Sequence, residues 1–148
     1  DSYISSDFEN QFYAQKNYDI TKINEADQSF DLIICFHVLE HIIEDEKAIE
    51  ELNRVLKNDG HLLIQVPLKK GITYQDNSII SKEGRLKAFG QEDHVRVYGE
   101  DSLPLILNES GFTAKPIDIV KEYNSEEKKL YGFSNNEVIY RCRKATFP

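Results

Sequence analysis

The sequence has 148 residues and a mass of 17.2 kDa, one domain's worth, with 40% hydrophobic and 30% charged residues, the composition of a folded chain rather than a disordered one. The net charge of −8 has the wrong sign for a general nucleic-acid binder, whose non-specific affinity comes from neutralising phosphates. No apolar run approaches the roughly 18 residues needed to span a bilayer.

Residues 3–7 and 16–20 resemble two short strands, with Asp7 and Asp19 at or near their ends. Phe30 to Phe36 is apolar on both faces after Asp31, as a parallel strand covered on both sides would be. Glu44, Asp45 and Glu46 place negative charge where a helix would begin. Ala48, Ile49, Leu52, Val55 and Leu56 then recur at helical spacing, with Arg54 and Lys57 in the last turn and Asn58, Asp59 and Gly60 as the stop. A second apolar strand follows at 61–66, closed by Pro67. Strand, helix, strand at this length predicts a βαβ unit with parallel strands and a right-handed crossover.

Residues 69–98 are long, polar and weakly periodic, the pattern of a lid or binding segment. Ser102 and Pro104 open a helix carrying Leu103, Ile106 and Leu107, which Gly111 ends. Residues 115–120 and 137–143 alternate, as half-exposed antiparallel strands near an edge would. The polar stretch 121–136 reads as the connection between them.

Several constellations could carry chemistry. The seven glycines include no two that are two apart, so no Gly-x-Gly loop is available to cradle a phosphate or cofactor. Cys35 and Cys142 have no paired metal spacing and read as reduced, buried thiols of a cytoplasmic protein. His37, Glu40 and His41 match His-x-x-Glu-His, the zinc-peptidase spacing that puts two imidazoles one helical turn apart. The competing reading gives Glu40 and His41 a solvated helical start, with Val38, Leu39 and Ile42 packed inward. Asp7, Asp19 and the Phe36–His37 junction would all lie at the carboxyl ends of strands, where open α/β sheets bind ligands. An Asp held there can accept both ribose hydroxyls, but it can equally just cap a loop. Between Phe89 and Gly99, Gln91, His94, Arg96 and Tyr98 crowd between Gly90 and Gly99. His94 is an acid/base candidate and Arg96 could fork a carboxylate or phosphate, or the stretch is a charged surface loop.

Together these residues resemble the class I S-adenosylmethionine-dependent methyltransferases, specifically the broad type 11 group acting on small substrates. The carrying stretch runs from Asp31 through His37-Val38-Leu39-Glu40-His41-Ile42 to Ala48, Glu51-Leu52, Arg54-Val55-Leu56-Lys57 and Gly60. It is similar to the family's fourth strand, the following helix and the start of its fifth strand. The resemblance implies an α/β, Rossmann-like sheet, mostly parallel with an antiparallel last strand, in an order resembling 3-2-1-4-5-7-6. It implies S-adenosylmethionine as cofactor, with Asp7 and Phe8 at the ribose, Asp19 and Ile20 at the adenine, and Phe36 and His37 at the methionine end. His37 or His94 would take the substrate's proton, and Gln91, Arg96 and Tyr98 would hold the substrate. It implies a small-molecule acceptor and no nucleic acid, membrane or metal partner.

The family's first strand and glycine-rich loop should precede Tyr3. With no Met in the chain, residues 1–148 read as a single partial domain, cut from a longer one, with 69–99 as its lid. Such a piece would leave open strand edges, which a strand-exchanged homo-oligomer could fill. It would also bind the cofactor weakly. A non-catalytic methyltransferase-like binding module and, less favourably, a zinc hydrolase remain as alternatives.

Overall fold

Strand β1, Phe30–Phe36, lies parallel to strand β2, Leu56–Gln65, in the computed structural model of the chain, which describes residues 3–9, 11–117, 123–132 and 138–145. Helix α1, Asp45–Val55, joins them, so the expected βαβ unit is present. Its stripe of Ala48, Ile49, Leu52 and Val55 is buried in the core. The helix ends earlier than its sequence pattern predicts. Lys57 already belongs to β2, and Asn58, Asp59 and Gly60 lie inside that strand instead of stopping the helix. The register jumps there, from Phe30 opposite Leu56 to Leu32 opposite His61. Gly60 permits the irregularity, because a Cβ would meet the Asp31 carbonyl at 3.0 Å and Leu56 Cδ1 at 2.9 Å.

The four-stranded sheet has the order β1-β2-β7-β6, with β6 at Phe112–Ile117 and β7 at Ile139–Lys144. Strand β7 is antiparallel to both neighbours, giving the mixed α/β architecture expected. Of the two alternating segments predicted, residues 118–120 and Glu137 lie outside the described residues. The β2–β7 register sets Leu62 opposite Cys142 and Ile64 opposite Tyr140, and all four are buried on one side of the sheet. Helix α3, Leu103–Glu109, adds Leu103 and Leu107 to the same core. Asn53 of α1 ties down the end of α3 by donating to the carbonyls of Ser110 and Gly111.

The other side of β1 is not covered as the sequence pattern suggests. Leu32 and Ile34 are 53% and 57% exposed, and Cys35 points the opposite way into the core. The two strands expected at 3–7 and 16–20 reduce to a single parallel bridge, Ser6 with Lys16. This N-terminal part is fastened to α1 by Arg54, which donates to the Ile23 and Glu25 carbonyls and to Asp27, while Glu51 accepts from the Ile23 N–H.

The long polar stretch after β2 is built, not loose. Short strands β3 (Leu68–Lys69), β4 (Tyr74–Gln75) and β5 (Arg96–Gly99) form a second sheet ordered β3-β5-β4, with helix α2, Lys82–Phe89, between β4 and β5. Gly90 caps α2 with φ +89°. Gly99 is required for a different reason: the backbone of Gly71 to Thr73 crosses it so closely that a Cβ would lie 2.1 Å from the Gly71 carbonyl oxygen. The polar segment before β7, expected as a plain connection, also holds a helix, α4 at Ser125–Leu130, started by an Asn124–Glu127 capping box. Among the described residues no helix is long and apolar enough to cross a membrane.

Candidate active site

His37 stands at the carboxyl end of β1, where its backbone N–H donates to the Gln65 carbonyl at 2.8 Å. Its φ is +53°, a left-handed conformation that a residue with a Cβ adopts at a cost. The turn swings the imidazole out, leaving it 53% exposed, with Phe36 half-buried beside it. A single 3₁₀ turn follows at Leu39–His41.

That turn does not leave Glu40 solvated. Glu40 is 1% exposed, and neither carboxylate oxygen has a hydrogen-bond partner. His37 Nδ1 is 3.4 Å from Oε1, but without hydrogen-bond geometry. The reason for the burial of Glu40 is the segment from the second sheet. The Val95 N–H donates to the Glu40 carbonyl at 2.9 Å, which lays His94 and Val95 across the turn. His94 is 3% exposed and packs edge-on against His41, with ring centroids 4.7 Å apart. Burial first, then the adjacent His41, holds the His94 imidazole below its usual range, so it is neutral near pH 7. His41, half-buried, has Nδ1 at 3.3 Å from the Asp93 carboxylate. Ligand atoms of Glu40, His41 and His94 all lie within 4.8 Å of one another.

Two of the expected substrate residues are committed elsewhere. Arg96 is 1% exposed, and its guanidinium donates to the carbonyls of Leu39, Ile42 and Ile43 and to Gln75, with Asp45 Oδ1 at 3.1 Å. Tyr98 is fully buried and donates its hydroxyl to Asp45 Oδ2 at 2.5 Å. Both brace β5 against the turn that follows β1, so neither is free to touch a substrate. Their anchor is Asp45, whose position in the sequence predicts only a helix-start charge. The third, Gln91, is exposed and lines a shallow concavity of about 370 Å³ with Lys82, Leu86 and Asp93.

The acids expected at the cofactor lie on the N-terminal loops and bond there to neighbours in sequence. Asp7 caps its own loop by accepting from the Glu9 and Phe12 N–H groups, and Phe8 beside it is 60% exposed. Asp19 accepts from the N–H and hydroxyl of Thr21 at 2.8 and 2.7 Å, and these bonds lower its carboxyl below the usual range. Ile20 packs against the core. The two thiols are buried as expected, and burial raises both Cys35 and Cys142 to about 12.

A family described as "Methyltransferase domain" matches residues 2–115. An uncharacterized protein of Methanocaldococcus jannaschii is 32% identical over 106 aligned residues, covering 62% of this chain and 47% of that protein. The chain thus spans about half the length of the curated relative it matches. Among solved structures, the YcgJ protein of Bacillus subtilis aligns with TM-score 0.58 at 16% identity, over 90% of this chain and 71% of that one. The 1,6-didemethyltoxoflavin-N1-methyltransferase of Burkholderia thailandensis, with 1,6-didemethyltoxoflavin and S-adenosylhomocysteine bound, aligns with TM-score 0.54 at 16% identity, over 86% of this chain and 48% of that one. At these identities the structures establish likeness of fold.

Proposed function

This chain belongs to the methyltransferase domain family and has the class I, Rossmann-like fold, and from that premise we propose that it carries part of an S-adenosylmethionine-dependent site that methylates a small molecule. The observation that carries this reading is His37. It is a half-exposed imidazole at the carboxyl end of a parallel strand, held in a costly left-handed turn, at the place where open α/β sheets bind ligands.

The residues fit the cofactor at its nucleoside end. Thr21 fixes one oxygen of Asp19 and keeps the carboxylate ionised, while the other oxygen accepts no hydrogen bond among the described residues. A rigid acceptor of this kind suits the nucleoside's donor groups. The fit stops at the carboxypropyl end, for which these 148 residues offer no Gly-x-Gly loop. S-adenosylmethionine, when bound, supplies an electrophilic methyl on a sulfonium. The chain's own contribution is position: Phe36 and His37 line that end, and His37 accepts the proton of an O, N or C nucleophile. His94, nearly sealed from solvent, backs the turn instead of meeting the acceptor directly.

The second reading is a non-catalytic module of methyltransferase ancestry. One experiment separates the two. The natural full-length protein is titrated with S-adenosylhomocysteine by calorimetry, and labelled methyl transfer to a panel of small hydroxyl, amine and carbon acids is measured. Micromolar binding, at least about tenfold weaker in Asp19→Ala, with transfer lost in His37→Ala, supports the enzyme. Absence of binding would leave only the module.

A further inference from the structure

We propose that Glu40, His41 and His94 form a binding site for a first-row divalent transition ion. Two observations carry this independently of the methyltransferase reading. The first is convergence. His94, more than fifty positions along the chain, is brought by β5 onto the turn that bears Glu40 and His41, and their ligand atoms fall within 4.8 Å of one another. The second is the orphaned carboxylate. Both oxygens of Glu40 are buried without a hydrogen bond, Oε1 having only the His37 Nδ1 at 3.4 Å, although the large majority of buried polar side-chain atoms in folded proteins are hydrogen-bonded. A cation between the two imidazoles would satisfy it.

The donor set selects the ion. Two imidazoles and one carboxylate suit zinc, iron(II), cobalt(II) or nickel(II), whereas magnesium and calcium prefer all-oxygen sites. Bond lengths near 2.1 Å require ligand atoms roughly 3–4 Å apart, so closing on an ion needs side-chain movement of about 1 Å. The remaining parts of such a site are in place. Asp93 sits 3.3 Å from His41 Nδ1, the acidic outer partner that metal-bound imidazoles usually carry. Three protein ligands leave at least one coordination position free, and the half-buried His41 gives a way in.

This set differs from the His37-x-x-Glu40-His41 spacing read in the sequence. There the second imidazole would be His37. Here it is His94, and His37 keeps its place at the strand end.

The test is zinc titration of the natural protein, stripped with chelator, by calorimetry, alongside metal analysis of the protein as purified. One zinc per chain is expected, with no comparable binding of magnesium. Cobalt(II) should give visible d–d absorption, whose intensity reports the coordination geometry. His94→Ala and Glu40→Gln should each weaken zinc binding at least about 100-fold, Asp93→Ala about 10-fold or more, and His37→Ala little. The partly exposed His41→Ala guards against misfolding: with an unchanged circular dichroism spectrum, it should also lose the cobalt absorption. No stoichiometric binding, or binding that survives loss of His94 but not of His37, would overturn this ligand set.

Discussion

Replacing Arg96 with Met separates a bracing role from a substrate-binding one. The guanidinium is 1% exposed and satisfies three backbone carbonyls, Gln75 and the Asp45 carboxylate. Met fills similar volume but donates nothing. The Asp45 carboxylate, with its side chain 14% exposed, is then left as a buried charge without its cation, and the Ile42 and Ile43 carbonyls lose the Arg96 donor while that of Leu39 keeps the Ile42 N–H. Removing one partner of a buried pair costs about 3–5 kcal/mol, because the desolvation of the other is no longer offset. For a domain of about 150 residues each kcal/mol lowers the melting temperature by about 2–4 °C, so Arg96→Met should melt about 6–20 °C lower. Thermal unfolding followed by circular dichroism reads this directly. Asp45→Asn in the Arg96→Met background should recover part of the loss, since the uncompensated charge is gone. A side chain free to clamp a substrate would behave as a surface residue, within about 0.5 kcal/mol of wild type. An Arg96→Met protein melting within about 2 °C of wild type would refute the bracing role.

Gly99→Ala should be much costlier than Gly90→Ala. The first drives a methyl into the Gly71–Thr73 backbone, an overpacking cost of about 3 kcal/mol, and the second strains one left-handed residue by about 1 kcal/mol; urea midpoints that rank the two equally would contradict this. Glu51 gives a pH dependence. Its bonds to Arg54 hold its carboxyl below the unfolded value of about 4.3, so the stability it contributes is fully present above that pH and is lost as pH falls through the folded value. The gap in unfolding free energy between wild type and Glu51→Gln should therefore be constant from pH 7 to about 5 and narrow below 4. A gap unchanged down to pH 3 would exclude this pair as its source.

The βαβ unit was legible because its signals are local: the stripe on α1, the acids at its start and the two apolar runs each depend on near neighbours. The end of α1 was misread because Asn58, Asp59 and Gly60 are turn formers in isolation, and what they do in the protein is set by pairing with β1 across the sheet. At the site, the His37 to His41 run announced itself by spacing. Its polarity could not be read, since the backbone of Glu40 is bonded to Val95, a residue far away in sequence, and the carboxylate is buried. Arg96 and Tyr98 sit in a stretch rich in polar residues, where sequence suggests a surface. Asp45, placed at the first turn of α1, turns both inward. The composition of 69–98 likewise concealed a second sheet, because its strands are two to four residues long and too short for alternation to register.

The antiparallel strand β7 has a consequence for how the chain reaches this structure. Strand β6 precedes β7 in sequence, yet among the described residues its strand partner is β7, and β7 in turn joins it to β2 through pairings such as Leu62 with Cys142. During synthesis β6 therefore emerges with nothing to pair with, and the half of the sheet beyond β2 must wait for residues 139–144. Loops that long are closed late and slowly, because their entropy is lost before any contact rewards it. The βαβ unit can form early from neighbours in sequence, while the apolar residues of β6, Phe112 among them, stay exposed to other chains until β7 arrives. Folding should be biphasic, with the slow phase sensitive to changes in β7 and the fast phase to changes in α1.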